Sequence, residues 1–113
     1  MIHEESKIQI ACVKWFRLQY PLHNLFAIPN GGRRGKIEAA IMKGEGVLAG
    51  VADLFLSNPS KGFHGLYIEM KTQKGKQNPN QIAFQRKVEL SGYRYVICRS
   101  LDDFIEEVNK YLI

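Results

Sequence analysis

Two short, β-prone apolar runs, Leu66 to Met70 and Tyr93 to Cys98, flank a stretch with the marks of one helix. Asn78 followed by Pro79 suits an N-cap with proline at the first helical position, and Gly92 supplies a stop shortly after Leu90. Two strands joined through a helix are predicted to be parallel neighbours in one sheet, with a right-handed crossover. This unit commits the chain to a sheet with helices packed on its faces.

The rest of the chain extends the same pattern. Ile8, Ala11, Cys12, Trp15 and Leu18 recur at helical spacing, predicting an amphipathic helix from about Glu4 to Gln19, and Pro21 disfavours further helix at Tyr20. Leu25 to Ile28 is a short apolar run that stops at Pro29-Asn30-Gly31-Gly32, which predicts a strand followed by a loop. Ile37, Ala40 and Ile41 share one face of a second helix that Gly44 and Gly46 can end. Val51 to Leu56 and Leu66 to Met70 enclose the turn-forming stretch Ser57-Asn58-Pro59-Ser60-Lys61-Gly62, so they read as an antiparallel hairpin. Ser100 with Asp103 resembles a capping box, and Leu101, Phe104, Ile105, Val108, Tyr111 and Leu112 make the cleanest amphipathic pattern of all. The predicted class is α/β, a mixed sheet flanked by helices in the order α-β-α-β-β-α-β-α. No repeat, low-complexity segment or linker divides residues 1–113, which are expected to form one domain.

A chain of 113 residues has one modest core, so a sizeable substrate must lie on its surface or across an oligomer. The formal charge of +5 favours a polyanionic partner. Cys12 and Cys98 are the only cysteines and sit in apolar surroundings, as buried thiols of a reducing cytosol do. They are too far apart in sequence to suggest zinc. No apolar run approaches the length of a membrane span, and Met1-Ile2-His3-Glu4-Glu5 lacks the pattern of a signal peptide. The expected location is cytoplasmic, with no membrane partner.

The chemistry is carried by Asp53 and Glu69, each of which interrupts apolar residues within a predicted strand. An unpaired buried carboxylate is costly, so such a residue usually has a cation, a hydrogen-bond partner or water. Antiparallel pairing across the 57–65 turn can bring the two carboxylates to one end of the sheet, where they would offer hard oxygen ligands to Mg²⁺. Lys71 lies two residues beyond Glu69, and period-two alternation puts both side chains on one face. Phosphodiester hydrolysis needs these parts, a metal to activate water and a cation to position the nucleophile or stabilise charge. The competing account is a surface ion pair beside a solvated strand-end aspartate, and for an isolated acid-x-lysine it would prevail.

With these residues in place the chain resembles the PD-(D/E)xK nuclease superfamily, and within it the virus-type replication-repair nuclease domain, VRR-Nuc. The resemblance runs through Glu5 and Gln9, Ile28-Pro29-Asn30-Gly31-Gly32-Arg33, Gly46, Gly50-Val51-Ala52-Asp53-Leu54, Ile68-Glu69-Met70-Lys71 and Gln81. It implies a restriction-endonuclease-like fold and metal ligation, by Mg²⁺ or Mn²⁺, through Asp53, Glu69 and the main-chain carbonyl of Met70. It also implies a water-positioning, charge-stabilising role for Lys71 and a supporting role for Gln81. A glutamate of the first helix often joins such sites, and Glu5 is the match in register. The competing role for Glu5 is a first-turn acid on the helix dipole. Ala52 departs from the superfamily pattern, where proline commonly precedes the aspartate.

Small stand-alone members of this family are similar to phage proteins that pair as homodimers and cut branched DNA such as four-way junctions. The resemblance therefore implies an endodeoxyribonuclease of the Holliday-junction-resolving type. Asn30, Arg33, Arg34 and Lys36 form a basic, glycine-rich approach to a helix suited to phosphate contact, and Lys74 and Lys76 beside Gly75 are expected to make a flexible basic arm. Trp15 and the last helix are candidates for a dimer surface. His3, His23 and His64 have no ligand or nucleophile spacing. Two alternatives stand beside this reading, a non-catalytic DNA-binding module on the same fold and an RNA- or nucleotide-directed hydrolase.

Overall fold

Eight elements follow in chain order: α1 (Glu4–Gln19), β1 (Leu25–Ala27), α2 (Lys36–Gly44), β2 (Leu54–Leu56), β3 (Leu66–Met70), α3 (Pro79–Leu90), β4 (Arg94–Cys98) and α4 (Leu101–Leu112). The structure is a computed structural model that describes residues 3–29 and 35–113. The order is the predicted one, and the strands form one sheet, β1-β2-β3-β4.

The expected crossover is present. β3 and β4 are parallel, in the register Leu66↔Arg94 through Met70↔Cys98, and α3 joins them. β2 and β3 form the antiparallel hairpin, with Leu54 opposite Ile68 and Leu56 opposite Leu66. β1 adds antiparallel to β2 and leaves its other side as a sheet edge.

Local chemistry sets the helix ends. The Asn78 side chain accepts from the Gln81 backbone N–H at 2.9 Å, and the Gln81 side chain accepts from the Asn78 N–H at 2.9 Å, a reciprocal capping box with Pro79 next in line. Beyond α3, Gly92 takes a φ of +91°, the left-handed conformation that glycine adopts without penalty. At α4, Ser100 Oγ accepts from Asp103 N–H as expected, but the Asp103 carboxylate turns back to the N–H of Arg99 rather than that of Ser100.

Side-chain alternation divides the sheet into two faces. On one, Leu25, Leu54, Leu56, Leu66, Ile68, Met70, Val96 and Cys98 are buried with Cys12 and Phe16 of α1 and Phe104, Val108 and Tyr111 of α4. On the other, Phe84 of α3 packs with Ala52 and Tyr95, with Tyr67 and Ile97 alongside. Trp15 meets Phe104 and Tyr20 edge-on at 6.1 and 6.0 Å, and α4 buries its apolar stripe. Both therefore pack against the core, with Trp15 and the flanks of α4 left partly exposed. α2 buries no residue, and its Ile37 and Ile41 are exposed.

One predicted strand is shorter than expected. The run Val51 to Leu56 is strand only from Leu54, because the Asp53 side chain takes the place of a ladder partner: its Oδ2 accepts the Met70 N–H at 2.7 Å. The chain upstream is held off by Gly50, whose φ of +91° and contact with the Asn80 backbone bend it away from β3.

Candidate active site

Asp53 stands where β2 begins, and two contacts fix it. Its backbone carbonyl accepts the Ile28 N–H at 2.9 Å, and its carboxylate caps the Met70 N–H on the facing strand. One residue thus ties β1, β2 and β3 together at the end of the sheet, with its side chain turned toward the end of β3.

Among the described residues Glu69 is the one charged side chain that is buried, at 2% exposure. It lies on the α3 face of β3. Its Oε2 accepts from Gln81 Nε2 at 2.9 Å and pairs with Lys71 Nζ at 3.6 Å. Its Oε1 is buried and has no hydrogen-bond partner among the described residues. Gln81 therefore acts at both ends of its amide. The oxygen completes the helix cap, which fixes the rotamer, and the nitrogen is delivered to Glu69.

The electrostatics are those of crowded acids. Burial pushes the Glu69 carboxyl up to about 8, aided by the negative charges of Asp53 and Glu5 and opposed by Lys71. Asp53 is raised by burial, with the Met70 N–H and Lys71 pulling the other way. Glu5, at the start of α1, is raised by burial and then by Asp53, so it lies within the field of the same centre. Tyr95 is pushed to about 12 by burial and by Glu69. Among the described residues, no three His, Cys, Asp or Glu side chains gather closely enough to hold an ion alone. The available donors are instead two carboxylates with a main-chain carbonyl beside them, an all-oxygen set that suits an ion retaining several waters.

A polar recess of about 360 Å³ opens beside Asp53, lined by Ala49, Gly50, Val51, Asn78, Asn80 and Gln81. Its shape depends on Gly50. A Cβ at that position would stand 2.4 Å from the Asn80 carbonyl oxygen, so the 49–51 segment meets the first turn of α3 only with glycine there.

The profile of the VRR-NUC domain matches residues 3–102, nearly the full chain. The chain belongs to the VRR-NUC family. A solved structure described as a VRR_NUC domain protein has the same fold, with a TM-score of 0.81 at 24% identity, over 99% of this chain and 90% of that one. No curated protein matches the sequence.

In this VRR-NUC domain the structure brings Asp53, Glu69, Lys71 and Gln81 together, with the Met70 backbone between them and Glu5 within electrostatic reach. Lys36 is the exposed first residue of α2. Asn30, Arg33 and Arg34 lie outside the described residues. Lys74 and Lys76 are exposed beyond β3, but the expected flexible arm is a tied turn: the Gly75 N–H donates to the Thr72 carbonyl, and Arg99 Nη1 donates to the carbonyls of Thr72, Gln73 and Gly75. Arg99 was not a candidate from sequence. The parallel register Met70↔Cys98, continued one step, sets Arg99 beside Lys71, and adjacent like charges are the signal that one has other partners. No helix among the described residues is long and apolar enough to cross a membrane.

Proposed function

We propose that this VRR-NUC domain is a Mg²⁺- or Mn²⁺-dependent DNA endonuclease. The observation that carries the reading is Glu69 Oε1, a buried carboxylate oxygen with no partner, set beside Asp53 and Lys71 at an open sheet end. A buried acid with a free oxygen is destabilising unless something cationic completes it.

Asp53, Glu69 and the Met70 carbonyl would hold the ion, with Glu5 reinforcing the negative field. When bound, the ion polarises a phosphate oxygen and acidifies a water. The chain's own residues do the rest. The Met70 N–H holds the Asp53 carboxylate in one orientation, and Gln81 does the same for Glu69. Lys71 keeps its ammonium at Glu69, where it can orient a nucleophilic water and offset charge growing on the phosphate. The polar recess at the head of α3 offers the scissile phosphate a place next to Asp53. Lys36, Lys74 and Lys76, with Asn30, Arg33 and Arg34, are assigned to flanking phosphates.

The preferred substrate in this reading is branched DNA, cut by a homodimer that presents two centres to two strands. The exposed apolar side chains Ile10, Leu18 and Phe26 support pairing. The test is cleavage of a labelled four-way junction beside linear duplex, single strands and RNA, with Mg²⁺, Mn²⁺ or chelator. Metal-dependent cutting of the junction, abolished in Asp53→Asn and Glu69→Gln, is expected. Binding without cutting would identify a DNA-binding module, and preferred cutting of RNA would overturn the substrate assignment.

A further inference from the structure

We propose that Arg99 is a positioning residue for Lys71, acting through the turn that follows it. The proposal rests on the nuclease reading above and adds a residue to its machinery.

The turn Thr72–Gly75 leaves β3 directly after Lys71. Arg99 Nη1 donates to the carbonyls of Thr72 and Gly75 at 2.7 Å each and approaches that of Gln73 at 3.4 Å. Gln73 Nε2 returns a contact to the Arg99 carbonyl at 3.4 Å. Arg99 is anchored in turn, since its backbone N–H donates to Asp103 Oδ2 at 2.9 Å in the first turn of α4. Arg99 thus links the turn, through its guanidinium and its backbone, to the head of α4, the helix that buries Phe104, Val108 and Tyr111.

The turn backs the Lys71 side chain. A Cβ built on Gly75 would lie 3.4 Å from Lys71 Cδ, so the turn passes close to the outer part of the lysine stem. Lys71 has four rotatable bonds, and among the described residues the 3.6 Å pairing with Glu69 is what holds its ammonium. Confining the stem therefore decides where the charge sits, and a displacement of about 1 Å in such a group can cost on the order of a hundredfold in rate. Arg99 Nη1 is committed to main-chain oxygens of this turn, so the contacts that the structure records for its guanidinium are structural ones.

The experiment compares Arg99→Met, which keeps much of the stem and removes the donors, in wild-type and Lys71→Ala backgrounds. The assay is steady-state cleavage, with Mn²⁺, of the DNA that the wild type cuts fastest. In the wild-type background the expected result is a loss in kcat on the order of tenfold or more, with KM within about twofold. In the Lys71→Ala background no further loss is expected, because the residue being positioned is gone. Trypsin should also nick Arg99→Met faster after Lys74, a readout that needs no nuclease activity. Equal fractional losses in both backgrounds, a loss confined to KM, or unchanged kcat would overturn the role. Unchanged nicking at Lys74 would overturn the clamp itself. A wild-type protein with no metal-dependent cleavage sinks the nuclease reading instead, and the proteolysis still reports on the clamp.

Discussion

At Glu69, folding and the proposed metal ligation make opposite demands on one carboxyl group. In the metal-free protein burial and Asp53 raise it to about 8, against a usual 4.5. Between those values the folded chain keeps a proton that the unfolded chain has released, so the stability conferred by the neutral acid is full below about 4.5 and is lost as pH climbs through about 8. Metal-free protein should therefore unfold at progressively lower temperature across that window. Glu69→Gln should flatten the trend, leaving the smaller slope from Asp53 and Glu5, which are raised in the same direction. At the alkaline end the variant is expected to be the more stable protein, by several degrees in Tm, as scanning calorimetry in chelator would show. A wild-type midpoint that rises with pH over this range would contradict the raised pKa that burial gives Glu69. Gln81 gives a separate prediction, because its amide nitrogen donates to Glu69 Oε2. Gln81→Ala should weaken Mn²⁺ binding, read by titration calorimetry, or lower cleavage by roughly 10- to 100-fold, as loss of an orienting partner does.

At the scale of elements, the head of α3 does two jobs, and two substitutions separate them. Asn78→Ala removes a cap and should lower stability by about 0.5–2 kcal/mol in denaturant unfolding. It should also lower activity, since the same capping box sets the rotamer of Gln81. Gly50→Ala puts a methyl group 2.4 Å from the Asn80 carbonyl oxygen at a φ of +91°, for which about 1–3 kcal/mol of destabilisation is expected. If Gly50→Ala unfolded at the wild-type denaturant midpoint, the close approach of the 49–51 segment to α3 would be refuted. These elements also show what a sequence reveals. Asn78-Pro79 and Ser100 announce their helices because a cap is satisfied within a few residues, and period-two and helical spacings placed every strand and helix in order. The shortened β2 was hidden, since nothing near Val51 tells that the Asp53 side chain replaces a ladder bond from a residue 17 positions away. Asp53 and Glu69 stood out as charges inside apolar runs, and Lys71 by sharing a strand face with Glu69. Arg99 did not, because its partners lie 24 to 27 residues upstream and are backbone carbonyls that any sequence would supply.

For the whole molecule, the balance of covered and uncovered surface bears on assembly. The sheet's two faces are closed by α1 and α4 on one side and α3 on the other, yet a groove of about 760 Å³ runs between α1 and the free β1 edge, walled by Ile10, Val13, Leu18, Phe26 and Ala27. Leu18 and Ile10 are 80% and 56% exposed, and α2 offers a second unburied apolar face at Ile37 and Ile41. A nine-residue helix with no buried side chain has little stability of its own. Two copies related by a two-fold axis can cover such faces reciprocally, which a chain with a single small core has reason to do. Leu18→Glu puts a charge into the groove without touching the core, so it should leave Tm of the isolated chain nearly unchanged while shifting light-scattering mass from dimer to monomer. On a four-way junction the monomer should then nick one strand per encounter where the dimer cuts two, a difference that a cruciform plasmid reports as nicked rather than linear product. Wild-type protein that is monomeric at micromolar concentration, or a Leu18→Glu variant that still linearises the plasmid at the wild-type rate, would remove this groove from the assembly.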